Sequence, residues 1–237
     1  MSLYAIYFSP TGGTKKVVDE LCKGWGEEPK LWDLCQNQPV STQFQPQDVC
    51  LVAVPSFGGR VPQVALDRIK TMEGHGAAAV LVCVYGNRAY DDTLLELKDA
   101  LCGAGFVCLG AVAAVAEHSI MHQFAAGRPD EQDGQQLREF GAQLRQRWEK
   151  KENKEVEVPG NRPYREYGGV PMKPKANNNC NGCGRCASHC PVGAIDPQNP
   201  KKTDEKTCIS CMGCIAVCPQ HPRKINPLLV AAAGAKM

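Results

Sequence analysis

The chain predicts an α/β fold: a doubly wound five-stranded parallel sheet over its first 150 residues, then a linker and a small α+β domain. Three observations carry this expectation. Short apolar, β-rich runs alternate with helix-length segments, as they do in parallel sheets covered on both faces. A loop of glycines and hydroxyls separates the first run from the first helix. Finally, eight of the 14 cysteines fall in two copies of one spacing, beginning at Cys180 and at Cys208.

In chain order, strands are expected at Leu3–Phe8, Lys30–Leu34, Val49–Val54, Ala77–Val84 and Val107–Ala116. Each is bounded by glycine, proline or polar residues. Helices are expected at Thr14–Gly24, Pro62–Met72, Asp91–Leu101 and Asp130–Lys151. Residues 151–175 break the alternation: a charge run from Lys150 to Glu155 is followed by Pro159, Pro163, Pro171 and Pro174. They read as a linker stiffened by proline. The remainder, 176–237, is the internal repeat, expected as short strands and helical turns.

A hydrophobic share of 43% with 22% charge is that of a folded soluble chain rather than a disordered one. Met1 leads into an apolar strand without the basic start or cleavage site of a secretory leader. The apolar run Leu228–Ala233 is too short to cross a bilayer. The expectation is a cytoplasmic protein with no membrane partner. Charge is unevenly divided: residues 1–150 carry 14 Lys and Arg against 18 Asp and Glu, or −4, and 151–237 carry 13 against 7, or +6. The basic residues are not interleaved with stacking aromatics, so no nucleic-acid partner is expected.

Cys180, Cys183, Cys186 and Cys190 precede Pro191, and Cys208, Cys211, Cys214 and Cys218 precede Pro219. Each run reads C-x2-C-x2-C-x3-C-P and resembles the 4Fe–4S runs of bacterial two-cluster ferredoxins. Structural zinc also uses C-x2-C pairs, but it has no use for a third cysteine at the same step or for the trailing proline. The resemblance implies that the fourth cysteine of each run serves the other run's cluster. Cluster I would be held by Cys180, Cys183, Cys186 and Cys218, and cluster II by Cys208, Cys211, Cys214 and Cys190. Thiolate ligation calls for a reducing compartment, and the oxygen lability of such clusters for an anaerobic host. Two clusters with their thiolates bring a formal charge of about −4. Arg185, Lys201, Lys202, Lys206, Arg223 and Lys224 then either balance that charge and raise the potentials, or form a docking patch for an acidic partner.

The loop after the first strand reads Ser9-Pro10-Thr11-Gly12-Gly13-Thr14. Backbone N–H groups converging at a helix N-terminus, with glycines allowing close approach, suit a phosphate. The loop is neither a Walker A sequence nor G-x-G-x-x-G. With its hydroxyls it resembles the flavodoxins, whose fold has strand order 2-1-3-4-5 and binds FMN at the C-terminal ends of the strands. The chain as a whole is similar to flavodoxin–ferredoxin fusion proteins, to which Pro159-Gly160-Asn161-Arg162-Pro163-Tyr164 also conforms.

That resemblance implies FMN and two 4Fe–4S clusters as cofactors. Ser9, Thr11, Gly12, Gly13 and Thr14 would hold the flavin phosphate. The loop after the third strand, from Pro55 and Ser56 to Pro62, and the one after the fourth, from Tyr85 to Asp92, would meet the ring. Phe57 and Tyr90 would pack on it, Gly58 or Gly59 would turn a carbonyl toward N5, and Gly86, Asn87 and Arg88 would reach its polar edge. No catalytic residue is expected. Glu117, His118 and His122 follow the fifth strand either as polar loop residues or as groups that protonate a substrate of the flavin, and Cys22, Cys35, Cys50, Cys83, Cys102 and Cys108 read as core packing. Clusters move one electron at a time and a flavin moves one or two. The expected function is therefore a low-potential electron carrier serving redox partner proteins. An iron–sulfur flavoenzyme acting on a small molecule is the alternative, and a zinc-bearing structural module a third. A homodimer would bring one chain's clusters to the other's flavin.

Overall fold

Apolar residues fill both faces of four of the five predicted strands, so these can be buried only in a sheet covered on two sides, while the second, Lys30–Leu34, carries the polar residues of an edge. The computed structural model describes residues 1–36, 43–151 and 156–234 and contains that sheet. Its strands are β1 (Leu3–Tyr7), β2 (Lys30–Asp33), β3 (Val49–Pro55), β4 (Ala78–Tyr85) and β5 (Val107–Val115). They pair in parallel in the order β2-β1-β3-β4-β5. This is the flavodoxin-like doubly wound order. Reversal of direction about β1 opens a crevice at the strands' C-terminal ends.

Alternation along β1 decides what each face packs against. Tyr4, Ile6 and Phe8 join a core with α2 (Gln63–Ile69) and α3 (Thr93–Gly103). Leu3, Ala5 and Tyr7 join the opposite core, under α1 (Gly13–Trp25) and α4 (Glu131–Glu149). α4 begins at a capping box, with Asp130 accepting from the Asp133 N–H at 2.9 Å and Asp133 returning the bond at 3.0 Å. α1 and α4 touch backbone to backbone, because a Cβ on Gly141 would strike Leu21 O and one on Gly24 would strike Arg138 O. Gly141→Ala is therefore expected to destabilise the fold by about 1–3 kcal/mol through overpacking, read as a lowered melting temperature.

After α4 the chain turns into the proline-rich segment. Of its opening charge run, residues 152–155 lie outside the described residues. From Val156 onward it is a strap laid against the sheet domain rather than a free spacer. Val156 is buried in the α2/α3 core. Asp92, 2% exposed, accepts from the Asn161 N–H at 2.8 Å, Asn161 Nδ2 at 3.2 Å and the Arg165 N–H at 2.7 Å. Two turns further along, in α3, Asp99 takes Arg162 Nε at 3.0 Å and Nη2 at 2.5 Å, together with the Tyr164 hydroxyl.

The cysteine module has one short antiparallel pair, β6 (Lys175–Ala176) with β7 (Arg223–Lys224), and two helical turns, α5 (Arg185–Ser188) and α6 (Gly213–Ala216). The repeat extends to the backbone. Gly182, Gly184 and Gly193 have φ of 76°, 76° and 65°, and Ser210, Met212 and His221 take φ of 56°, 62° and 51° at the corresponding places. Non-glycine residues are strained in this region, so the second run carries a cost that the first avoids. In return two side chains gain the domain interface, where Ser210 and Met212 are buried. A last helix, α7 (Pro227–Gly234), covers the apolar run noted above; Leu228 is 77% exposed on it. Among the described residues no helix is long and apolar enough to cross a membrane.

Candidate functional site

At the C-terminal edge of the sheet, α1 opens on Gly12, which has a φ of 91° and supplies no side-chain cap to the first N–H groups. Ser9 shapes this loop from below: its carbonyl accepts the Gly12 N–H at 3.3 Å and its hydroxyl the Lys15 N–H at 2.9 Å. Next to it, Phe57 and Arg60 exchange backbone bonds of 3.0 and 3.2 Å across Gly58 and Gly59, with φ of 59° and 85°. Two successive positive φ values are those of a tight type I′ turn, which explains the glycine pair. The Tyr167 ring of the strap lies so close to Gly58 that a Cβ there would collide with it. Arg60 ties turn, helix and strap together. It bonds Glu96 at 2.9 and 2.5 Å and the Arg165 carbonyl at 2.7 Å, and lies over the Tyr164 ring at 5.0 Å.

These loops enclose a cavity of about 360 Å³, within the range of small-molecule sites. Thr11, Gly13, Thr14, Pro55, Ser56, Phe57, Gly58, Gly86 and Arg88 line it, and Ser9, Gly12, Gly59, Asn87 and Tyr90 do not. Tyr90 turns into the α2/α3 core, edge-on to Tyr85 at 5.2 Å, and it is Tyr85 that reaches the cavity. Nothing in the sequence distinguishes these two tyrosines; strand β4 simply ends one residue later than expected.

The other walls were not anticipated: Tyr167, Val170 and Met172 of the strap, Ser210 and Cys211 of the cysteine module, and Ala233 of α7. The β5 loop adds His118, packed against Gly86. Its Nδ1 accepts the Ile120 and Met121 N–H groups at 3.1 Å each, so the neutral ring carries its proton on Nε2. Burial above all holds this imidazole below its usual pKa. Glu117 instead pairs with His122 at 2.6 Å and accepts the Gly127 N–H at 2.9 Å.

The cysteine runs meet the sheet domain at the phosphate-type loop. His189 Nε2 donates to the Pro10 carbonyl at 3.2 Å, and Arg68 Nη2 to the Pro191 carbonyl at 2.8 Å. Cys190 and Cys208 are electrostatic neighbours of both Cys211 and Cys214, and Cys186 is one of Cys214. Burial first, then the Cys214, Cys190 and Cys208 charges, pushes the Cys211 thiol up to about 12, against a bond from the Gly213 N–H. Thiols that resist ionising when gathered become stable as thiolates only around a cationic core. Among the described residues no three His, Cys, Asp or Glu side chains come close enough to hold a single ion. Cys186 and Cys218 are buried and Cys183 is exposed. Of the scattered cysteines, Cys22, Cys35, Cys50, Cys83 and Cys108 are buried as expected. Cys102 is a correction: it is exposed in the last turn of α3, 3.6 Å from Cys108 Sγ.

Residues 179–222 match the family model of the 4Fe-4S dicluster domain. No curated protein matches the chain. Among solved structures, an archaeal flavodoxin is 11% identical, with 63% of this chain and 99% of that chain covered at a TM-score of 0.44. The flavodoxin of Streptococcus pneumonia TIGR4 is 16% identical over 61% and 97%, at 0.45. The two-electron reduced flavodoxin of Megasphaera elsdenii is 18% identical over 60% and 98%, at 0.42.

Proposed function

We propose that this chain is a low-potential electron-transfer protein whose cysteine module holds two 4Fe–4S clusters and whose sheet edge holds FMN. Electrons pass between the two and on to redox partner proteins. One observation carries the reading: Cys211, of the second cysteine run, walls the same cavity as the phosphate-type loop, Phe57 and Tyr85. A cluster ligand and the flavin loops thus share one small space.

The clusters supply one-electron steps and the flavin one- or two-electron steps. This chain's residues supply position and exclusion of water. The α1 N-terminus and the Thr11 and Thr14 hydroxyls suit a phosphate dianion. Phe57, Tyr85 and Tyr167 suit the faces and rim of a planar ring. His118 offers an Nε2–H donor beside Gly86, at the polar side of the cavity. The ligand sets are those the repeat implies: Cys180, Cys183, Cys186 and Cys218 for one cluster, Cys208, Cys211, Cys214 and Cys190 for the other. The strap and the cysteine module already wall the cavity, which favours a carrier over an enzyme that must admit a substrate above the ring. The thiolate chemistry fits a reducing, anaerobic cytoplasm.

Protein purified anaerobically is expected to contain about eight iron, eight sulfide and one flavin per chain. Its flavin should bleach as the clusters are reduced. Material free of iron and flavin sinks the proposal. Rapid flavin reoxidation by a small acceptor, with none by any protein acceptor, would replace the carrier with the enzyme.

A further inference from the structure

Six Lys and Arg lie within residues 176–234, and five of them are exposed. Arg223 is the sixth, with 2% of its surface exposed. Its Nη1 donates to Thr203 Oγ1 at 2.9 Å and to the Pro174 carbonyl at 3.3 Å, and its Nη2 donates to the Pro200 carbonyl. Its Nε has no hydrogen-bond partner. All these acceptors are neutral, and no carboxylate among the described residues pairs with it. The nearby acids are engaged elsewhere: Glu205 with Lys175 at 2.7 Å, and Asp204 with the Thr207 hydroxyl at 2.5 Å. A guanidinium keeps its charge in proteins, and an unpaired buried charge is among the costliest groups a fold can hold. Its counter-charge must therefore lie outside the ordinary side chains.

The fold indicates where. β7, which carries Arg223, packs against α6, which carries Cys214. The repeat provides a comparison within the chain. Arg223 is the fifth residue after Cys218, and the fifth after Cys190 is Ile195, buried and apolar. The charge has been placed on one half only.

We infer that Arg223 is the internal counter-ion of the cluster assigned to Cys190, Cys208, Cys211 and Cys214, and that it raises that cluster's reduction potential. The inference rests on the cluster assignment proposed above. Reduction takes a thiolate-bound core from a formal charge of about −2 to about −3. A fixed cation in a low-dielectric interior favours the more negative state. The favoured cluster is the one whose ligand Cys211 walls the flavin cavity, so electrons arriving at the other cluster are drawn toward the flavin.

The test is an anaerobic redox titration of the holoprotein, following the paramagnetically shifted cysteine β-protons assigned to each cluster. Arg223→Met is expected to make reduction of the Cys214 cluster at least tenfold less favourable, about 59 mV for one electron. The other cluster should shift less, and Arg223→Lys should retain most of the wild-type value. Failure of Arg223→Met to load clusters that Arg223→Lys does load would also support a requirement for charge. Equal shifts at both clusters, or no shift in a fully loaded Arg223→Met protein, would overturn the inference alone. Loss of both clusters in both variants would reduce Arg223 to a hydrogen-bonding role and overturn it as well. A wild-type protein without iron would overturn the functional reading, and this inference with it.

Discussion

Cys190→Ala is expected to strip one cluster from the chain and leave the other, and the lost one should be that of the second cysteine run. Iron should fall from about eight to about four per chain. The repeat implies this ligand set, and Cys190 acts electrostatically on both Cys211 and Cys214, as first-run Cys186 also does on Cys214, while the Cys190 Sγ accepts the Ala194 N–H at 3.2 Å. The double variant Cys190→Ala/Cys208→Ala separates crossed from sequential ligation. If both residues serve one cluster, the double loses no more iron than the single and still holds about four. If each run serves its own cluster, the double loses both. Because Cys211 lies in the flavin cavity wall, the variant's flavin should also stay oxidised while the surviving cluster is reduced.

Asp92→Ala should release the strap. Its carboxylate accepts from the Asn161 N–H, Asn161 Nδ2 and the Arg165 N–H. Stranding buried donors costs about 1–3 kcal/mol each; with the strap's outer edge open to water, about 2–3 kcal/mol is expected in all. Hydrogen exchange should rise across residues 156–174, whose Tyr167, Val170 and Met172 wall the cavity, and flavin should dissociate more readily. An unchanged exchange pattern would show that the strap is held by Asp99 and Arg60 instead. The same contact makes the strap pH-sensitive. The Arg165 N–H, above all, holds the Asp92 carboxyl below the usual carboxylate range, with Asn161 adding to it against burial. A carboxyl depressed in the folded state contributes stability above its unfolded pKa and loses it as pH falls through the folded one. Strap protection should thus be flat at neutral pH and fall only below about pH 4, and Asp92→Asn should lack that limb.

Much of the site was legible because it rests on local chemistry. The glycine and hydroxyl loop at the start of α1 and the cysteine spacing are local patterns that can be read before the chain folds. The strap was not legible in this way. Proline and charge announce a linker, yet nothing local says that Asp92 and Asp99, on one face of α3, will capture it. The choice between Tyr85 and Tyr90 was equally hidden, since a single residue of strand length decides which ring faces the cavity.

The amino-acid order by itself determined the five strands, the doubly wound class and the cysteine spacing, because periodicity and ligand steps are properties of short segments. Only the tertiary structure decided that Cys211 of the second run reaches the cavity beside the phosphate-type loop, that the strap walls that cavity, and that Arg223 alone among the module's described cations is buried. Those outcomes depend on contacts between residues far apart in the chain. Burial and the fate of a charge are properties of the packed whole.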